Sequence, residues 1–533
     1  MNIKEIVRVI TRICNLIFWM ITLYLTGDLG MGLYYIGFIL FEVLMITFGG
    51  GLKQAIARMV AVRNSKGMHY NSMLIFRYGL FYSLIIGAVI GFILWSLSGT
   101  IFSLLIGYTI PQSVLSVLGV YYFLNMIKGC LNGYYQGRGD TAICVVAELI
   151  QSLCLVGLSP ILIINMYSYG LKVSGLLKDP IYANLNGAIG AVMTQCIAAF
   201  VSMLALIIGD RIAGKVYRYD YNSVKGVDNR RNITITFLKS SVINIAEKLS
   251  PVLTVFTVLA IYFKRAFTYD ISVEEVLARV GVFFGKYLIV PAFFMIFFAE
   301  YSDRECKKLR RDYAAEEHKL VRSRVSYMLR NSVLILLPIT LLVIILADPI
   351  VRIFFGGNMT LGASLLKQGG IVLLFIGISY LCKGILSAIK LVRYSYISSL
   401  ICFGVSVLFA VITAGNEGNI IMPVIALIAG YLSQTVFLIF IINMMVGLDL
   451  IDMGIRVLRI CIACLVFSGL LAIMDHFIVM NVIFLLISII IAYPAYFVTL
   501  AVLKGVTARD INSLKGTLIY YPLLFIGRFF TDR

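Results

Sequence analysis

The sequence predicts an all-α polytopic membrane protein of about fourteen transmembrane helices, arranged as two parallel six-helix lobes followed by two C-terminal helices. Three observations lead there. First, 61% of the residues are hydrophobic and only 13% are charged, with a mean hydropathy of +0.97, against roughly a quarter charged in a soluble domain. Second, the apolar residues fall into runs of about 20, the length at which a helix crosses ~30 Å of hydrocarbon. Third, the chain repeats itself. "FLNMIKGCLNGYYQGRGDT" (123–141) and "YLCKGILSAIKLVRYSY" (380–396) are both apolar helices with an internal lysine and a basic exit, and Lys128 to Lys383 and Arg138 to Arg393 are each 255 positions apart.

In chain order the runs lie near 6–26, 33–52, 74–97, 114–136, 142–165, 187–208, 236–262, 279–299, 327–347, 369–389, 394–414, 420–445, 456–474 and 481–503. The first has the charged front and apolar middle of a signal peptide, but it lacks a small-residue cleavage site and more spans follow, so it is read as a retained first helix. The pattern around "LSGTIFSLLIG" (97–107) returns at "LADPIVRIFFG" (346–356). Six spans separate the copies, an even number, so both point the same way. The expected organisation is an N-terminal lobe over 1–208, a linker over 209–235, a second lobe over 236–445, two further helices within 446–503 and a basic tail over 504–533.

Charge sets the orientation. One set of loops holds Lys4, Arg8 and Arg12, then Lys53, Arg58, Arg63 and Lys66, then six cations between Arg211 and Arg231 and eight between Arg304 and Arg324. The opposite set holds only Lys172, Lys178, Lys264, Arg265, Arg352 and Lys367. This bias places both termini in the cytoplasm of a cell-membrane protein, with Asn64 and His318 inside and Asn184 and Asn358 outside. The net charge of +19 is then mostly topological, with attraction to anionic headgroups second, and nucleic-acid binding is excluded.

Catalytic motifs are missing. "GVFFGKY" (281–287) has the wrong spacing for a phosphate loop, and neither HExxH nor GxSxG occurs. The three histidines are far apart, and Cys461 and Cys464 form a CxxC inside an apolar run with no further ligand beside it. The reading is a non-enzyme without cofactor or metal. "RGD" (138–140) falls in a predicted inner turn and is read as chance.

The informative residues are charges inside spans, which are rare and usually face a cavity or a partner. The candidate cavity cations are Arg12, Lys128, Lys383, Lys248, Arg279 and Lys286. The candidate ion-coupling acids are Glu42, Glu148 and Glu247, and Lys239 also falls in a span. Each has a bland alternative. Arg77, Arg330 and the two repeat lysines can snorkel to the interface, and Arg8 and Arg12, i and i+4 on one face, can be topology anchors. Glu42, mid-span, cannot snorkel.

"GDLGMGLYYIGFIL" (27–40), "GGGLKQAIARMVAVRNSKG" (49–67) and "LNGYYQGRGDT" (131–141) resemble, in order, the multidrug/oligosaccharidyl-lipid/polysaccharide (MOP) exporter superfamily, nearest the polysaccharide-flippase branch with the spore stage V protein B and the lipid II flippases. Ala55–Arg58 answer the branch's segment that closes span 2, and Gly133–Gly137 its "GYFQG" element. The match is good over 1–160 and rests on hydropathy and the repeat beyond. It implies two six-helix lobes in a V, a central cationic cavity, and alternating access that moves an undecaprenyl-pyrophosphate type sugar outward. The sequence departs from the branch at Trp19, where an arginine is common, at Glu42, and at Glu148 and Gln151, whose order is exchanged. Two other readings stay open: an antiporter of the same superfamily coupled to H+ or Na+, and a non-transporting scaffold that binds envelope-assembly proteins. The partners expected under the first reading are the lipid-linked sugar and the bilayer.

Overall fold

A computed structural model describes residues 3–106, 114–212, 230–356, 359–413, 419–477 and 482–503. Among these every regular element is helical. Twelve helices are long and apolar enough to cross a membrane, and a thirteenth span is formed if the bent pair Met359–Gly369 and Val372–Ala388 counts as one. Each of the fourteen predicted runs overlaps one of these helices, and the first two share one 63-residue helical run, Ile3–Ser65. The tail over 504–533 and most of the 209–235 linker lie outside the described residues, as do Asn358 and the side chains of Lys239 and Glu247.

The shared run opens with α1 (Ile3–Leu44). A straight helix of 63 residues would be about 95 Å long, three times the hydrocarbon thickness. It holds two spans because Gly27 breaks it, at φ 69 and ψ −177, a conformation open to glycine and costly to residues with a Cβ. The expected turn is therefore a single residue. A π-helical turn, Met45–Gly50, then leads into α2 (Gly51–Ser65).

Next come α3 (His69–Ser96), the short α4 (Ser98–Ile106), α5 (Val114–Gly137), α6 (Thr141–Leu177) and α7 (Ile181–Ile212). After α8 (Arg230–Thr268) the pattern recurs. The helix α9 (Val273–Val282), a second π-helical turn (Phe283–Leu288) and α10 (Ile289–Ala314) match the bulged second span. Then α11 (His318–Ile345) and α12 (Ala347–Phe354) repeat α3 and α4. Both α3 and α11 have 28 residues and open on a histidine. The chain closes with α13 (Met359–Gly369), α14 (Val372–Ala388), α15 (Val392–Thr413), α16 (Ile421–Val446), α17 (Leu450–Phe477) and α18 (Val482–Val502). Local signals set several ends: Ser272 accepts from the Glu275 N–H at 3.3 Å to start α9, and Gly447 at φ 67 ends α16.

Two compact units result, one up to Gly285 and one from Lys286 onward. The boundary falls inside the second π-helical turn, so α8 and α9 pack in the first unit. There α9 lies tight against α1: a Cβ on Gly32 would sit 2.0 Å from the Leu277 carbonyl oxygen, and one on Gly281 would sit 1.7 Å from that of Asp28. Only glycine permits this backbone approach.

Candidate functional site: a lysine and its acceptors in the first unit

Three helices bring the predicted lysine into company. Lys128 stands on α5 one face on from Tyr121 and Asn125, at i, i+4 and i+7. Its Nζ donates to the Gln151 side-chain oxygen on α6. Glu148 stands one turn back on the same face of α6, three residues from Gln151. On α2 the Lys53 ammonium pairs with Glu148 at 3.7 Å, the two side chains being 38% and 40% exposed. Lys128 lies within the electrostatic reach of both Glu148 and Lys53. Two cations, one carboxylate and one amide thus form a polar cluster with a net charge of +1, and its ion pair is open to water. Pairs this exposed contribute only ~0–1 kcal/mol and exchange partners readily. An anion entering the cluster would meet the Lys53 ammonium, whose ion pair is weakly held, and the half-buried Lys128 ammonium, which donates to the Gln151 amide oxygen.

Closer to the α5 terminus the chain is locked. Arg138, 5% exposed, reaches Asp210 at 2.9 Å and Asp140 at 3.0 Å, and stands 5.5 Å and 5.7 Å from the Tyr134 and Tyr135 ring centres. Burial works against its charge, but Asp210, Tyr134 and Asp140 leave its pKa above the ordinary arginine value. The Arg-Gly-Asp triplet is therefore an internal clasp: its two charges serve each other and α7.

A second polar feature lies in the same unit. Glu42 on α1 is half-buried, and no hydrogen bond or ion pair reaches it among the described residues. Its neighbours are aromatic. Tyr34, Tyr35 and Tyr121 lie within its electrostatic reach. Phe38, one turn along, contacts Trp19, Tyr34 and Tyr35 with ring centres 6.2, 5.4 and 6.1 Å apart. Tyr35 stacks on Phe284 at 4.2 Å, and Phe41 on Tyr121 at 4.9 Å.

This fold matches solved structures. The lipid II flippase MurJ in an inward closed conformation superposes with a TM-score of 0.66 at 14% identity, over 94% of this chain and 98% of that one. The chain has the fold of the MOP superfamily. An inward-facing multidrug resistance MATE transporter of that superfamily gives 0.60 at 15% identity, over 84% and 95%. A Pyrococcus furiosus MOP transporter, described by the reversed polarity of its binding pocket, gives 0.56 at 16%, over 83% and 94%. No protein-family model and no curated protein sequence matches the chain.

Within this MOP fold the remaining predicted residues are dispersed. In the first unit, Arg12 is half-buried on α1 and Lys248 is exposed on α8, each engaged by a neighbour. Arg279 pairs with Glu275 at 2.7 Å, one turn back on α9. In the second unit, Lys286 is 1% exposed in its π-helical turn, and its aliphatic chain rests on Gly362. Its neighbour Tyr287 donates to the Gly369 carbonyl at 3.0 Å. Lys383 on α14 is half-buried and engaged, within reach of Cys402 on α15. Arg330 lies 3.7 Å from Asp452 of α17. Two members of the Lys128 cluster were not among the candidate site residues. Lys53 looked like one more cation of a basic loop, and Gln151 entered only as a departure from the branch's order. The i, i+3 spacing of Glu148 and Gln151 was the available signal.

Proposed function

We propose that this chain is a carrier that moves a lipid-linked saccharide, of the undecaprenyl-pyrophosphate type, outward across the cytoplasmic membrane by alternating access. The Lys128 cluster carries the proposal. A lipid pyrophosphate bears two or more negative charges, and Lys128 and Lys53 offer it two ammonium groups as point charges. The fold it shares with a lipid II flippase supports the reading. Lys383, in the repeat-related place, is proposed as the second lobe's ligand, and the lysine/arginine bias places both lysines toward the inner ends of their spans. Membrane potential or an ion gradient would drive the step, with ~2.3 kcal/mol per charge per 100 mV available.

One observation favours a second reading, the ion-coupled antiporter of the same superfamily: Glu42 is a half-buried carboxylate without a basic partner among the described residues. Such a group is tolerated in a span only with a proton or cation to neutralise it. Vesicles reconstituted with the pure protein and a fluorescent lipid-pyrophosphate saccharide separate the readings. The flippase moves the label between leaflets without nucleotide. Folded protein that leaves the label in one leaflet is a scaffold. A cationic dye moved against its gradient by wild type, and not by Glu42→Gln, makes the protein an antiporter.

A further inference from the structure

The aromatic box around Glu42 and the Lys128 cluster belong to one unit and one helix register. Tyr121, beside Glu42, and Lys128 stand on the same face of α5, seven residues apart, which is about 10 Å along the helix. The face between them carries Asn125, whose amide donates to the Tyr121 carbonyl at 3.0 Å. Lys128 and Tyr121, the ring beside Glu42, are thus stacked along one face of α5 with Asn125 as a polar step between them. Glu42 has no ion-pair partner among the described residues; Phe38 stands one turn away on α1, and Trp19 meets Phe38 with ring centres 6.2 Å apart, both rings half-buried.

Aromatic faces next to a carboxylate suit a substituted ammonium ion: ring quadrupoles attract it, and the carboxylate supplies the counter-charge. Na+ needs several oxygen ligands, which rings do not supply. Resting on the lipid-linked saccharide reading above, we propose that the cargo's head group is zwitterionic, with an amino substituent held by Glu42 and the Phe38 and Trp19 rings about 10 Å from the phosphate groups held by Lys128 and Lys53. A lipid-pyrophosphate oligosaccharide with a free amino sugar beyond its first ring has this chemistry. The neutralising partner that Glu42 lacks among the described residues is then supplied by the cargo itself.

The test uses a short-chain, water-soluble prenyl pyrophosphate disaccharide whose second sugar carries either a free amine or an N-acetyl group. Acetylation removes the charge and little else. The chain has two tryptophans, so a Trp95→Phe background leaves Trp19 as the reporter. The free-amine probe is expected to bind at least tenfold more tightly than the acetylated one and to change Trp19 fluorescence. Glu42→Gln should erase that preference, Glu42→Asp should keep part of it, and Lys128→Gln should weaken both probes by a similar factor. Equal binding of the two probes, or a preference that survives in Glu42→Gln, overturns the zwitterion while leaving the anionic-cargo reading intact. A fluorescence change driven by Na+ alone and lost in Glu42→Gln makes Glu42 an ion site and overturns it too. Failure of folded wild type to bind either probe sinks both readings.

Discussion

The two lysine helices look alike in sequence and differ in what surrounds them. On α5, Lys128 meets Gln151 and Glu148 from α6, and through Glu148 a second lysine from α2. On α14, Lys383 faces α15, where the positions 255 residues beyond Glu148 and Gln151 are Phe403 and Ser406. Gly384 beside it packs close to the Cys306 sulfur, and Cys402 lies in its reach. The repeat has kept the cation, while the positions that hold Glu148 and Gln151 in the first half hold an aromatic and a hydroxyl in the second. The exits differ in the same direction. Arg138 is buried between two carboxylates, whereas Arg393 lies 4.8 Å over the Tyr394 ring and is exposed. At the helical hairpins the charge is reversed. Asn64 ties α2 to α3 by accepting from the Ser72 hydroxyl at 2.7 Å. Between α10 and α11, a fully buried Glu305 takes Lys308 at 2.8 Å and lies 3.7 Å from Arg324, which also binds Asp312. Duplication supplied one backbone plan, and each half has placed its polar work at a different point.

The largest difference should appear at the exits. Arg138→Ala leaves the nearly buried Asp140 and the half-buried Asp210 without their cation and should cost up to about 3 kcal/mol, read as a lower melting temperature in detergent. Arg393→Ala gives up an exposed ring contact and should cost ~0.5–1 kcal/mol. Similar losses at both sites would erase the distinction drawn here. Next is the acceptor of Lys128. Gln151→Leu should cost about 1–3 kcal/mol, because it strips a half-buried ammonium of its amide oxygen. Ser406→Ala, at the repeat-related place, should stay below ~1 kcal/mol by the same melting assay. The smallest effect belongs to Lys53→Gln. Its ion pair with Glu148 is open to water, so the stability change should be at most ~1 kcal/mol and should vanish in high salt. A large, salt-independent loss would mean that the cluster is a structural bridge instead of an open site.

The fold was legible because its signals are long and redundant. Some 20 apolar residues in a row can be only a span or a core helix, and fourteen such runs with a lysine/arginine bias leave one class of answer. Shorter features were not legible. The π-helical turns at Met45–Gly50 and Phe283–Leu288 depend on how neighbouring helices press on a glycine-bearing stretch, and "TFGG" and "FFGK" carry that only faintly. The Gly27 break is one residue long, too short for a hydropathy window to register. At the site, Lys128, Glu148 and Glu42 stood out because charge in a span is costly, whereas Gln151 and Trp19 were marked only as departures from the branch and Phe38 is an ordinary membrane residue until its neighbours are known. Arg138 stood out only as the basic exit of the repeated helix and its triplet was read as chance, because its second carboxylate comes from Asp210, 72 positions away.

The central claim is that Lys128 holds the anionic end of a lipid-linked cargo and that Lys383 adds a weaker, separable contribution. Binding of a short-chain prenyl pyrophosphate saccharide to wild type, Lys128→Gln, Lys383→Gln and the double variant measures this directly, with melting temperature recorded for each. Loss of one charge-assisted contact of about 1.5–3 kcal/mol predicts a roughly 10- to 100-fold weaker affinity for Lys128→Gln. A smaller loss is expected for Lys383→Gln, and the largest for the double variant, all with little change in stability. A double variant that melts like wild type and binds the probe with unchanged affinity would contradict the account.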